Sequence, residues 1–103
     1  MRGEVYRLRA PRGTHGHEQR SPRHAVVVQS DHFPLSTWLI APTSTSARPA
    51  SFRPAVEIRG RMTRVLAEQT AAIDPDRLGD TSGHLTFNEL RDIDAALRLV
   101  LDL

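Results

Sequence analysis

The chain contains no cysteine and, among its basic residues, no lysine, and aromatic residues make up only 5% of its 103 positions. Without cysteine, disulfides and thiolate metal sites are excluded, which fits a reducing compartment, and we expect a cytoplasmic protein. No apolar run approaches the roughly 20 residues that a membrane-spanning helix needs, and no charged-then-apolar leader opens the sequence. Length and composition predict one soluble domain spanning residues 1–103.

Charge is distributed unevenly along the chain. Up to Arg64, 11 arginines stand against 4 acidic residues (+7); from Val65 onwards, 3 arginines stand against 8 acidic residues (−5), which together give the net charge of +2. Arginine grips phosphate through a planar fork that lysine lacks. The basic first part therefore predicts a surface for a polyanion such as RNA, although a GC-rich coding bias would also remove lysine.

Hydrophobic alternation and turn residues predict a chain of short strands. The predicted strands are residues 3–9, 25–29, 37–41, 56–59 and 63–67, the last continuing towards 73, with a short final strand over 77–80. Gly60 predicts a tight turn, and Pro75 predicts the first position of a one-turn helix. The segments 10–23 and 43–54, rich in Gly, Pro, Ser, Thr or Arg, are predicted loops.

The C-terminal segment carries the clearest helix signal. Thr86 and Glu89 form a capping box, and Leu85 and Leu90 are placed for a hydrophobic staple. Residues at helical spacing predict one apolar face: Leu90, Ile93, Leu97, Val100 and Leu101. The predicted fold class is mainly β with a C-terminal α-helix, a small SH3-like, strongly bent β-sheet or partly open barrel with the helix across one side.

Arg23 and Thr43 are the candidate catalytic residues. Arg23 precedes a stiff, apolar strand that can aim its guanidinium at a phosphate, and Thr43 follows the next strand in Ala41-Pro42-Thr43. With the nearby carboxylate of Glu18, this set suits binding or cutting an RNA backbone. The alternatives remain a solvated Arg23, an ordinary strand-end Thr43 and a Glu18 that only orders its loop.

Several motifs, in order and spacing, resemble those of the MazF/PemK (Kid-type) toxins of bacterial toxin–antitoxin pairs. They are Arg2-Gly3-Glu4-Val5-Tyr6, Gly16-x-Glu18-Gln19 followed by Arg23 and an apolar strand, Ala41-Pro42-Thr43, Arg53-Pro54-Ala55-Val56-Glu57-Ile58, Val65-Leu66-Ala67-Glu68-Gln69 with Ile73-Asp74, and Asp92-Ile93-Asp94-Ala95-Ala96-Leu97. The sequence departs from the family pattern at His17, where the family has serine, and at His24, where it has proline.

The resemblance implies a sequence-specific endoribonuclease (mRNA interferase) that uses no metal and no cofactor. It would cleave single-stranded RNA to 2′,3′-cyclic phosphate and 5′-hydroxyl ends, act as a homodimer, and be neutralised by a MazE-like antitoxin. In that scheme Arg23 mainly stabilises phosphate charge and is also a candidate acid for the leaving oxygen, and Thr43 donates its hydroxyl to the phosphate. The expected RNA-binding residues are Glu18, Gln19, Arg20, Arg53 and Gln69.

The proton acceptor for the 2′-hydroxyl is left open between Glu18 and His24. Histidine has the better reference pKa, near 6.5, but strand alternation points His24 to the face opposite Arg23. His15 and His17 lack a third ligand, so a metal site is not expected. Two other functions stay open: a non-catalytic toxin of the same fold, like the gyrase-directed CcdB toxins, and an RNA-binding domain that no longer cuts.

Overall fold

In a computed structural model, residues 1–9 and 23–103 are described. The elements in chain order are β1 (Glu4–Leu8), β2 (Arg23–Val27), β3 (Trp38–Ser44), β4 (Ala55–Ile58), β5 (Arg61–Val65), β6 (Ala71–Ile73), β7 (Leu78–His84) and α1 (Phe87–Leu101), with 3₁₀ turns at Ala67–Gln69 and Pro75–Arg77. The predicted fold class is confirmed: a strongly curled, mostly β half-barrel with one C-terminal helix. Within the described residues, no helix has the length and apolar character to span a membrane.

All strand pairs are antiparallel, and the main path through the sheet is β4-β5-β3-β2-β1-β7. β3 divides one of its edges between two partners. Its first half pairs with β6 and its last two residues pair with β5. β5 and β6 occupy different parts of that shared edge, and the sheet bends around β3. Because β2 and β3 are antiparallel neighbours, the start of β2 and the end of β3 lie at one rim.

The sheet has two apolar faces. The inner face packs on α1 through one buried cluster: Val5, Val26, Val28, Ala41, Val56, Ile58, Val65, Leu85 and Ile93. The outer face carries a second cluster of Ala25, Val27, Ile40 and Leu78, bordered by the partly buried Tyr6, Leu8, Trp38 and Ile73. Consecutive residues of β2 alternate between the clusters, as the pleat requires.

The predicted strand continuing to residue 73 is wrong. Leu66 turns its backbone N–H to the Pro42 carbonyl at 2.8 Å, and the 3₁₀ turn Ala67–Gln69 follows before β6 begins. The Thr70 hydroxyl donates to the Ala67 carbonyl at 2.9 Å and closes that turn. β7 is also longer than predicted, because pairing with β1 through two register irregularities overrides the low strand preference of its glycines.

The local turn signals are confirmed. Arg59 and Gly60 join β4 to β5 with φ of 52° and 81°, the positive values that a two-residue hairpin turn requires. Asp74 accepts a hydrogen bond from the Asp76 N–H at 2.9 Å and caps the one-turn helix that starts at Pro75.

The capping box of α1 is confirmed. Thr86 Oγ1 accepts from the Glu89 N–H at 3.2 Å, and Glu89 Oε1 accepts from the Thr86 N–H at 2.9 Å. Leu85 and Leu90 pack in the inner cluster. The predicted apolar face is wrong at its end, because Val100 and Leu101 are exposed while Ala96 is buried. The last turn of the helix runs past the sheet that covers Ile93.

Candidate nucleic-acid interface

Arg23 and Thr43 lie at the same end of neighbouring strands. Ala25 pairs with Pro42 in the β2–β3 ladder, so the register extends to place His24 opposite Thr43 and then Arg23 opposite Ser44. The hydroxyl of Thr43 donates to the His24 carbonyl at 3.3 Å, which supports that extension. The structure therefore brings the two predicted catalytic positions to one rim of the half-barrel.

The two side chains belong to different faces at that rim. Arg23 is exposed and lies on the same face of β2 as Ala25 and Val27 of the outer cluster. Thr43 is only 4% exposed and follows Ala41 of the inner cluster. In this arrangement the two side chains do not point to one phosphate. Their direct convergence on a phosphate therefore stays a prediction.

Ser44 is the hydroxyl on the face of Arg23, and sequence reasoning missed it. Ser44 pairs with Arg64 of β5, which in turn pairs with Ala55 of β4. Arg23, Ser44 and Arg64 thus form a row across three strands, which we call the outer row. The only signal for Ser44 in the sequence is that it stands two and four residues after Pro42 and Ile40, and so shares their face of the strand. Using that signal requires knowing that β3 continues to Ser44, the second residue of the predicted loop 43–54.

Backbone and hydroxyl contacts hold the outer row in place. Ser44 Oγ lies 3.2 Å from Ser46 Oγ and accepts from the Ser46 N–H at 3.3 Å. Arg64 Nη1 donates to the Arg53 carbonyl at 2.8 Å. This hydrogen bond fixes the position of the Arg64 guanidinium. Two guanidinium groups flanking a hydroxyl suit an anion with several oxygens, such as a phosphodiester.

Arg53, a predicted RNA ligand, pairs with a carboxylate. Its Nε and Nη2 donate to Glu68 Oε2 at 2.9 Å and 2.6 Å, and its guanidinium lies 5.3 Å from the centroid of the Phe52 ring. The hydrogen bond from Arg53 holds the pKa of Glu68 below its ordinary value against the opposing effect of burial. Since Glu68 offsets the charge of Arg53, a phosphate role for Arg53 stays a prediction.

Gln69 is exposed at the end of the 3₁₀ turn, not in a strand, and its N–H donates to the Leu66 carbonyl at 2.9 Å. Because Leu66 also binds Pro42 of β3, this turn lies beside the rim. The predicted RNA ligands Glu18, Gln19 and Arg20 lie outside the described residues, as do His15 and His17.

His24 lies half-buried on the inner face, one residue after Arg23. Its pKa is lowered mainly by burial and further by the charges of Arg7 and Arg59. The imidazole is therefore held in its neutral form more strongly than a free histidine side chain.

Comparison with known proteins decides the family. The model of the PemK-like, MazF-like toxin of type II toxin–antitoxin system matches residues 1–101. The chain belongs to the PemK/MazF toxin family. The Mycobacterium tuberculosis (strain ATCC 25618 / H37Rv) protein named "Putative toxin Rv3098A/RVBD_3098A" is 38% identical over 104 residues, covering 100% of this chain and 98% of the relative.

Solved structures share the PemK/MazF fold of this chain. An endoribonuclease in complex with its cognate antitoxin, from a mycobacterial species, superposes with a TM-score of 0.80 at 22% identity, covering 100% of this chain and 95% of the other. MazF from Deinococcus radiodurans gives a TM-score of 0.77 at 20% identity, covering 99% and 96%. The Mycobacterium tuberculosis toxin MazF-mt6 gives 0.77 at 16% identity, covering 97% of each chain.

Proposed function

We propose that this PemK/MazF-family protein is a sequence-specific endoribonuclease toxin that cleaves single-stranded RNA without a metal ion. The observation that carries the proposal is the outer row, which sets Arg23, Ser44 and Arg64 on three adjacent strands of the family's scaffold. An endoribonuclease and MazF toxins are among the structures that share this fold.

The proposed reaction is an internal transfer at phosphorus, with the 2′-hydroxyl as nucleophile and the 5′ oxygen as leaving group. The 2′-hydroxyl oxygen attacks the adjacent phosphorus and loses its proton to a base, while the P–O5′ bond breaks and the 5′ oxygen takes up a proton. Negative charge builds on the non-bridging oxygens, where a fixed guanidinium stabilises it most. Arg23 supplies that charge in our proposal, and the 2′,3′-cyclic phosphate and 5′-hydroxyl ends follow from the bonds broken.

Thr43 acts in this proposal through the strand that carries Arg23. Its hydroxyl donates to the carbonyl of His24, the residue that follows Arg23, and so helps to fix that strand end. A 3.3 Å O–H···O contact is long, so turning the hydroxyl towards a phosphate would give up little. Direct donation to the scissile phosphate nevertheless stays the sequence-based prediction.

The test is RNA cleavage by purified protein in excess EDTA. We expect cleavage by the unchanged protein, and a loss of roughly 10²–10³-fold in Arg23→Ala, the range for removing one charge-stabilising donor. Arg98→Ala, on the exposed side of α1, is the matched control and should cut normally. Full cleavage by the double variant Arg23→Ala, Thr43→Ala would refute the site.

We propose two partners besides RNA. The outer cluster leaves the rings of Tyr6 and Trp38 partly exposed, with their centroids 6.0 Å apart in an edge-to-face pair. A second copy of the chain covers this pair, and Trp38 lies at the opposite end of β3 from Ser44 of the outer row. A cognate antitoxin, an acidic and disordered segment when free, binds over the basic outer row and blocks it. Relatives of this fold have been solved with an antitoxin or with MazE.

The burial of Thr43 favours a second candidate function. A non-catalytic toxin, or an RNA-binding domain that does not cut, needs no exposed hydroxyl beside Arg23. Growth arrest that persists in the Arg23→Ala, Thr43→Ala variant would favour the non-catalytic toxin. RNA binding without cleavage by the unchanged protein would favour the binding domain.

A further inference from the structure

We propose that the inner face of the same rim carries a phosphate-binding site, formed by Arg7, His24 and Arg59, which holds an RNA phosphate next to the one being cleaved. We call these three residues the inner rim. The proposal rests on the proposed RNA substrate but assigns different residues from the outer row.

The sheet register aligns the inner rim. Arg7 of β1 pairs directly with His24 of β2, and Thr43 of β3 donates to the His24 carbonyl. Arg7 lies two residues after Val5, and His24 lies two before Val26; both valines are buried in the inner cluster. Side chains two apart on a strand share a face, so Arg7 and His24 point to the inner side, above the apolar core.

Arg59 lies at the tip of the β4–β5 hairpin, four residues before Thr63. It occupies the β4–β5 turn with a φ of 52°, and its charge, like that of Arg7, acts on His24 and lowers the pKa of the imidazole. Among the described residues, no carboxylate contributes to that shift. Within residues 1–9 and 23–103, no salt bridge joins Arg7 or Arg59 to a carboxylate. The inner rim therefore gathers positive charge, a setting that attracts a phosphate.

A buried hydroxyl beneath the rim points to a ligand independently. Thr63 is 7% exposed, and its Oγ1 is buried with no hydrogen-bond partner among the residues that the structure describes. Thr63 lies two residues before Val65, which pairs with Thr43, so it shares the inner face with Thr43. An unsatisfied buried hydroxyl is destabilising, and a phosphate oxygen at the rim supplies the missing acceptor through a bridging water.

The donor set matches a phosphodiester. An RNA phosphodiester at neutral pH carries one negative charge and only accepts hydrogen bonds. Both guanidinium groups, the Thr63 hydroxyl and one imidazole nitrogen all donate. Arg23 and His24 are adjacent residues on opposite faces of β2, so a strand of RNA that crosses the rim meets the two sites in succession.

Binding of a non-cleavable oligonucleotide tests the site apart from catalysis. A fluorescent single-stranded oligonucleotide with 2′-O-methyl riboses is titrated by anisotropy at several salt concentrations. In Arg7→Gln, Arg59→Gln we expect about tenfold weaker binding and a log–log salt slope reduced by about 0.7, the value for one phosphate contact on a single strand. Arg91→Gln, Arg98→Gln removes the same charge from α1 and should leave the slope unchanged. Equal slopes in the rim variant and the unchanged protein overturn the proposal.

Histidine NMR identifies the bound group. The His24 ring signals should shift with the oligonucleotide in the unchanged protein and not in the rim variant. A shift with inorganic phosphate alone means a free-anion site and overturns the RNA assignment. Thermal unfolding checks that each variant is folded. Because the oligonucleotide cannot be cut, this binding result stands even if the protein is not a nuclease. If the protein cleaves RNA but the rim variant binds the oligonucleotide with an unchanged salt slope, only the inner-rim site is refuted.

Discussion

At the scale of single residues, Thr43 is the position where the site and the core meet. Its side chain is 4% exposed, and its hydroxyl bonds the carbonyl next to Arg23. Thr43→Val removes the hydroxyl and keeps the shape, so it should lower the cleavage rate while costing about 1 kcal/mol of unfolding free energy. Thr43→Ser keeps the donor and should restore most of the rate. Equal rates in the Val and Ser variants would show that the hydroxyl has no part in the site.

The Arg53–Glu68 pair gives a pH-dependent contribution to stability. Folding lowers the pKa of Glu68 below its ordinary value of 4.5, so the pair stabilises the protein above that pH, and the contribution fades as pH falls through the lower, folded pKa. Both side chains are 25% exposed, and about 1 kcal/mol is expected. Denaturant unfolding of Glu68→Gln should show this deficit at pH 7 and a shrinking one below pH 4.5. A deficit that does not change with pH would contradict the ion-pair account.

At the scale of elements, Glu89 joins the helix start to the sheet. Beyond capping Thr86, its Oε2 accepts from the Glu57 N–H of β4 at 2.8 Å. Thr86→Ala should cost about 1 kcal/mol, and Glu89→Ala should cost more because it also unpairs a strand N–H. Asn88→Ala, exposed in the same turn, is the control. Urea unfolding measures all three, and an Asn88 effect as large as that of Glu89 would argue against the contact.

Local patterns predicted the elements better than they predicted the faces. The capping box and the Gly60 turn depend on residues within a few positions of each other, and the sequence displays them directly. The site depends on cross-strand pairs: the register between β2 and β3 sets which of Thr43 and Ser44 lies beside Arg23. Arg53 and Glu68 are 15 residues apart, so neither motif nor alternation could indicate their pairing.

At the scale of the whole molecule, the outer cluster predicts self-association. Trp38→Glu places a charge among partly buried apolar side chains and should shift a dimer to a monomer in light scattering coupled to gel filtration. Leu99→Glu, on the exposed side of α1, should leave the mass unchanged. A monomeric unchanged protein at high micromolar concentration would refute the dimer.

The central claim is that this chain cleaves RNA by internal transfer at a phosphate held by Arg23, and the chemistry of the product ends tests it most directly. RNA incubated with the unchanged protein in EDTA should yield fragments whose 5′ ends accept phosphate from a kinase without prior phosphatase treatment, paired with 2′,3′-cyclic phosphate ends. Intact RNA, or fragments that carry 5′-phosphates, would contradict the account.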